Sequence, residues 1–379
     1  MARKNVNYDI MKKFLILTAC GLWAMFCFAS CSGESSSAED VEENPLIESS
    51  QSKNSSSNDS SSSVKDAEEK SSQTPGGMLF FRDDDTGNLK YVAFDGRLED
   101  VAASLIDSVP VEMDLNLDCY HPEVSPDGKW VAFSTTHENS GAYTELYVKE
   151  IGSNALPLKL PVQMAAIPRW HVNSKGDTSI VYVDNTGLNQ KDLWFSYGTW
   201  IVPFMKGAFG TPKKLFNGAF NGGFSKDLTF FVNSSALLMG RYVTYSGDSI
   251  ASMADSIWYD GEQTCNASLS KDGTNRTLFL DMAGKQGLEF VGESYRPHQR
   301  ILVIDSLGHL ISAVPSEPNT AFDHTEWAGY KDYAVASLQD ANLLHTKIVL
   351  VNMADSSIVD LVSGGELWHP NLWIKSDKK

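Results

Sequence analysis

Six stretches of this chain open in the same way. The residue just before each opening is His121, Ile167, Asn221, Asn266, His324 or His369. Imidazole is the commonest side-chain ligand of borderline divalent metals, and three imidazoles leave coordination positions open for a substrate. His121, His324 and His369 are therefore a candidate metal set. The plainer reading is that His and Asn at these points cap strand starts by bonding to backbone groups. On that reading no metal or other cofactor is expected. Other chemistry has no signature here: G-x-S-x-G, H-E-x-x-H, the P-loop and paired C-x-x-C are all missing from the sequence. Asp83 to Asn88 is rich in carboxylates but lacks the alternating ligand spacing of a calcium loop. It reads as a hairpin turn between two strands.

The elements that would position these residues repeat. Cys119 to Thr135, CYHPEVSPDGKWVAFST, reads as strand, tight turn and strand. Pro126-Asp127-Gly128 is turn chemistry, with φ preset by Pro, an Asp that bonds its own backbone and a Gly that accepts positive φ. Degenerate copies begin at Pro168, Gly222, Ala267, Thr325 and Pro370, in steps of 46, 54, 45, 58 and 45 residues. A period of this length with several strands per period signals propeller blades. Six starts predict six blades, numbered 1 to 6 here from Pro122. The starts of innermost strands converge on the mouth of a central channel. His121, Asn221, Asn266, His324 and His369 are then a polar ring at that mouth, and the three histidines fall on adjacent blades 5, 6 and 1.

The predicted fold is all-β, a six-bladed propeller with four strands per blade. TELYVKEI and LPLKLPV complete blade 1, and Leu193 to Phe204 with Thr211 to Phe216 complete blade 2. Blade 4 takes Thr277 to Met282, Arg300 to Asp305 and His309 to Val314. The last start, Pro370, has no strands after it, whereas MLFFRD, NLKYVAF and PVEMDL precede the first start. Those four pieces make one blade, closed by the C-terminal strand and leaving no open edge. Trp194, Trp200, Trp327, Trp368 and Trp373 are either stacking platforms for sugars or peptides, or packing between blades. The apolar insertion Gly198 to Gly210 is either a partner-binding loop or a buried outer strand.

SPDGKWVAF at Ser125 to Phe133 and SKDGTNRTLFL at Ser270 to Leu280 resemble the core motif of TolB-like propeller repeats. Such repeats also occur in the propeller domains of prolyl-oligopeptidase-type enzymes. The resemblance covers about residues 75–379 and implies the propeller; it implies no particular activity, since propellers host many. A complete oligopeptidase is excluded on this reading, because no elbow motif and no room for a hydrolase domain are present. With its signal sequence and Ser-rich tether the chain also resembles lipoproteins of fibre-degrading gut bacteria. In broad design alone, the histidine mouth is similar to that of oligogalacturonate lyases, which use a propeller and a histidine-bound metal.

The N-terminal end reads as an address. Lys12 and Lys13 precede a mostly apolar run, and Phe28-Ala29-Ser30-Cys31 resembles a lipobox, with Cys31 as the lipidated residue and residues 1–31 as signal peptide. Met1 and Met11 each open a plausible signal. Residues 32–74 form a Ser-rich acidic linker with too little apolar content to fold. The domain of residues 75–379 carries −13 of the chain's net −17. That balance excludes nucleic acid as a partner and leaves the lipid anchor as the only membrane contact. Cys119 and Cys265 fall on blades three apart, so a disulfide between them is not expected. The whole predicts a monomeric outer-membrane lipoprotein, periplasmic or surface-exposed, that binds an envelope protein or a polysaccharide without catalysis of its own. The alternative is a metal-dependent polysaccharide lyase or hydrolase built on the histidine mouth.

Overall fold

In the computed structural model, the described residues are 76–95, 109–113, 115–136, 143–184, 194–234, 237–259, 262–328 and 332–375. Cys31, the signal region and the linker lie outside them. Blade 1 is β4 (Tyr120–Val124), β5 (Trp130–Ser134), β6 (Leu146–Glu150) and β7 (Leu158–Lys159). Its tight turn follows from side chains in the motif. Ser125 Oγ accepts from Trp130 N at 3.0 Å and donates to Asp127 Oδ1 at 2.6 Å, while Asp127 accepts from Lys129 N at 3.2 Å. Ser225 and Asp227 repeat this at blade 3 with Phe230 N and Thr229 N. The recurring Ser-x-Asp is thus a local hydrogen-bond device that satisfies the turn's backbone donors.

Blade 2 holds β8 (Ala166–Val172), β9 (Thr178–Val183) and β10 (Gly198–Met205), with its outer edge divided between β11 (Ala208–Phe209) and β12 (Lys213–Asn217). The strand expected from Leu193 begins only at Gly198, because Trp194–Ser196 forms a 3-10 turn. The apolar insertion is a buried outer strand: Val202 and Phe204 are buried and pack with Trp170, Ile180 and Leu146. Blade 3 contributes β13 (Phe230–Ser234) and the long hairpin of β14 (Leu238–Ser246) and β15 (Ser249–Tyr259). Its innermost run, residues 222–225, is irregular but bonded to β13 through Gly222 N to Val232 O at 3.0 Å and Ser225 N to Phe230 O at 2.8 Å. A Cβ at Gly222 would sit 3.0 Å from Ala267 Cβ and 3.1 Å from two carbonyl oxygens, so only glycine lets this run approach blade 4.

Blade 4 is β16 (Thr264–Leu269), β17 (Thr277–Asp281), β18 (Arg300–Ile304) and β19 (Leu310–Pro315), with a short helix α1 (Lys285–Val291) between β17 and β18. Blade 5 is β20 (Ala321–Trp327), β21 (Tyr333–Gln339), β22 (His345–Asn352) and β23 (Ile358–Ser363). Blade 6 runs β24-β1-β2-β3, joining β24 (Leu367–Ile374) to β1 (Gly77–Asp83), β2 (Leu89–Phe94) and β3 (Val111–Met113). β24 and β1 pair antiparallel from Gly77 opposite Ile374 to Asp83 opposite Leu367. The closure expected from the orphan strands is therefore present.

Apolar clusters fill the six interfaces between neighbouring blades. Leu79 and Phe81 of blade 6 meet Val335 and Ile348 of blade 5, and Met78 and Phe80 meet Val131 and Phe133 of blade 1. The remaining interfaces join blades 1 and 2, 2 and 3, 3 and 4, and 4 and 5. Each sheet is buried on both faces by its neighbours, which is how some 300 residues avoid needing one oversized core. Trp327, Trp368 and Trp373 are buried at 5, 8 and 9% exposure, so they are packing residues rather than stacking platforms. Cys119 is a free buried thiol. No disulfide joins it to Cys265, in line with the expectation from their blades.

Candidate functional site: the channel mouth

Five of the six innermost strands carry the same irregularity at the same place. His121-Pro122 opposes one residue of β5, between the pairs Tyr120 with Ser134 and Glu123 with Ala132. Ile167-Pro168, Asn266-Ala267, His324-Thr325 and His369-Pro370 sit in equivalent two-against-one β-bulges. The first residue of each bulge is left-handed, with φ of 51, 51, 51, 47 and 50°. Proline follows three of them, where the bulge leaves no ladder bond for its missing N–H. A bulge re-aims a side chain, and here the five side chains with Asn221 line one cavity on the channel axis. The structure thus brings together all the residues of the expected polar ring: His121, Asn221, Asn266, His324 and His369.

The ring is not symmetric. His369 stands between His121 and His324, with ring centroids 4.1 and 3.9 Å away. Asn266 turns aside, and its Nδ2 donates to Asp323 Oδ1 at 2.8 Å. Asp323 Oδ1 also accepts from His324 N at 2.9 Å, while Oδ2 lies 3.0 Å from His345 Nε2 and 3.6 Å from His324 Nε2. On its other side, His345 Nδ1 lies 2.6 Å from Glu366 Oε1, which also accepts from Trp368 Nε1 at 2.9 Å. Burial alone would discharge His345, but bonds to Asp323 and Glu366 outweigh it and push the imidazole up to about 9. Burial likewise opposes ionisation of Asp323, and the neighbouring His324 and His345 overcome it, holding the carboxyl below its usual range. Among the described residues, the metal-type ligand atoms that all fall within 4.8 Å of one another belong to Asp323, His324 and His345. Of the three histidines expected to form a metal set, this group contains His324.

Two residues further along the innermost strands lies a charged layer. Arg169 of blade 2 reaches across the channel to Glu326 of blade 5, in a bidentate pair at 2.8 and 2.6 Å. Ser268 Oγ donates to the same carboxylate at 2.6 Å. Burial alone would raise the Glu326 carboxyl; Arg169, Ser268 and Lys271 hold it below the usual range instead. Lys271 of blade 4 pairs with Glu123 of blade 1, whose carboxylate also accepts from Trp170 N at 2.8 Å. Both pairs join blades three apart, so both span the bore. The sequence reading missed this layer, although the alignment that found the mouth also aligns Glu123, Arg169, Ser268 and Glu326 two places on. His345 and Glu366 had no such signal, because each lies outside the repeated hairpin.

No family model matches the chain, and no curated protein matches it. Its fold is similar to that of solved structures at low identity. Kuenenia stuttgartiensis hydrazine synthase matches at a TM-score of 0.51 and 9% identity, over 79% of this chain and 47% of that one. A Mycobacterium tuberculosis puromycin-hydrolyzing peptidase matches at 0.44 and 15%, over 79 and 43%. A structure from a study of two prolyl endopeptidases matches at 0.38 and 13%, over 74 and 37%. This chain thus spans less than half the length of each. These likenesses bear on the fold, and a TolB-like family is not among them. They do correct one expectation. Chains named for hydrolytic peptidases share this propeller, so the statement that the protein performs no catalysis is withdrawn.

Proposed function

We propose that this chain is an envelope-tethered six-bladed propeller that docks a protein partner on the face carrying the channel mouth. Innermost strands start at that face, so the connections between second and third strands of each blade emerge there too. The observation that carries the reading is what those connections expose: Tyr143 at 67%, Phe195 at 51%, Phe290 at 41%, and Leu343 and Leu344 at about half. Large apolar side chains left exposed on one face are a mark of a protein-binding surface. A polysaccharide ligand is less well supported, since Trp327, Trp368 and Trp373 are committed to blade packing. Cys31 supplies the lipid anchor, residues 32–74 the spacer, and the bound chain remains monomeric at the outer membrane.

The reading is tested by photo-crosslinking in native membranes. Phe195→Glu and Phe290→Glu on the mouth face are compared with Leu156→Glu and Leu307→Glu on the opposite face. Loss of one defined crosslinked protein in the first pair only is the expected outcome. Equal loss in both pairs, or competition by soluble polysaccharide with no crosslinked protein, overturns it. Cys31→Ala should abolish lipid labelling and release the chain from the membrane fraction; unchanged labelling ends the anchor reading.

A further inference from the structure

Beside the clustered imidazoles of the mouth, the inner wall holds a buried set of one carboxylate and two imidazoles. We propose that Asp323, His324 and His345 bind a divalent transition-metal ion of the zinc type, independently of what the mouth face docks. The geometry is that of a small-ion site. A tetrahedral ion with bonds of about 2.0–2.1 Å spaces its ligand atoms about 3.3 Å apart. Asp323 Oδ2 lies 3.0 Å from His345 Nε2 and 3.6 Å from His324 Nε2, and one ligand atom from each of the three residues lies within 4.8 Å of the other two. Two imidazoles and one carboxylate favour zinc-like ions over magnesium or calcium, which take oxygen ligands.

The surroundings are those of a metal centre as well. Two of the three ligands are oriented by a second group. Glu366 holds His345 through Nδ1, leaving Nε2 to face the ion, and Trp368 Nε1 in turn holds Glu366. Asn266 holds Asp323 through Oδ1, leaving Oδ2 to face the ion. Such carboxylate–histidine–metal arrangements fix ring orientation and strengthen the ligand. All three ligands are at most 5% exposed, and His324 lines the channel cavity. The ion therefore enters from the channel, and an open coordination position there would be filled by water or by a group of a bound molecule.

The experiment uses the full chain without a histidine tag, stripped with chelator and titrated with zinc or cobalt. Metal content at saturation, the visible absorption of bound cobalt and Trp368 fluorescence are the readouts. Trp368 suits the last because its ring lies 4.1 Å from that of His345 and 4.8 Å from that of His324. One equivalent of metal, the absorption of tetrahedral cobalt and quenching of Trp368 are expected. Asp323→Asn and His345→Gln should abolish all three. Should either variant fail to fold, Glu366→Gln leaves every ligand in place and should weaken binding about 10–100-fold. His121→Ala should bind as the parent does. Retained binding in folded His345→Gln, unchanged affinity in Glu366→Gln, or loss on His121→Ala overturns the assignment, the last in favour of the three mouth imidazoles His121, His324 and His369. Failure of the unsubstituted chain to bind zinc or cobalt overturns it outright and leaves the docking reading untouched.

Discussion

At the residue scale, the informative positions are those held against their own preference. A left-handed backbone costs an L-residue roughly 1–2 kcal/mol, and five residues round the mouth are held there. Asn and His tolerate that region better than most; Ile167, being β-branched, tolerates it poorly. Its retention has a packing cause, since Ile167 is 5% exposed and clusters with Ala166, Val183 and Ala219. Burying such a side chain is worth about 1.5–3 kcal/mol, which exceeds the strain. Ile167→Asn should therefore lower stability by about 1 kcal/mol in urea unfolding, although Asn suits the backbone better. A more stable variant would mean that strain, not packing, governs the site. The ring was readable in the sequence as six aligned positions, His121 to His369. Its left-handed bulge was not, because it depends on two residues of one strand facing one residue of the next. The Asp323–His345–Glu366 chain was hidden for a related reason: its members come from β20, β22 and the segment before β24, and meet only when two blades pack.

At the element scale, the repeated turn shows how one local device acquires different costs in different surroundings. Gly128 and Gly273 occupy the same position of the motif, with φ of 72 and 87°. An added Cβ at Gly273 would meet nothing within 4 Å, whereas at Gly128 it would lie 2.6 Å from the ring of Trp373. That indole sits on the closing strand β24, and its Nε1 donates to Pro126 O at 3.4 Å. The closing strand is thus fastened to the first turn of blade 1. Gly273→Ala should cost about 1–2 kcal/mol, the left-handed penalty alone. Gly128→Ala should cost about 1–3 kcal/mol more, the usual scale of overpacking. Equal losses in thermal or denaturant unfolding would show that Trp373 moves aside freely. The turns and the closing strand were legible because Ser-x-Asp chemistry is local and orphan strands can be counted. In blade 2 the outer strand was legible as Thr211 to Phe216, where β12 stands, but the short hairpin of β10 with β11 was not, because the apolar run from Gly198 to Phe209 lacks the period of a half-buried strand.

At the scale of the whole molecule, the apolar clusters hold each blade to its two neighbours, and the charged layer joins blades that are not neighbours. Arg169 and Glu326, 13 and 22% exposed at the side chain, are separated by 157 residues and meet across the bore. Charges in such a place cost several kcal/mol each to desolvate, and the bidentate geometry with Ser268 offsets that cost only while both partners are present. Removing one should therefore be worse than removing both. Arg169→Met leaves an uncompensated carboxylate and Glu326→Leu an uncompensated guanidinium, each expected to cost about 3–5 kcal/mol. The double variant fills the same space with apolar side chains and should recover most of the loss, so the cycle gives a coupling of a few kcal/mol. Denaturant midpoints of the four proteins measure it. A double variant as unstable as the sum of the singles would show that the pair does not act as one unit across the channel, and that the ring is held by its six interfaces alone.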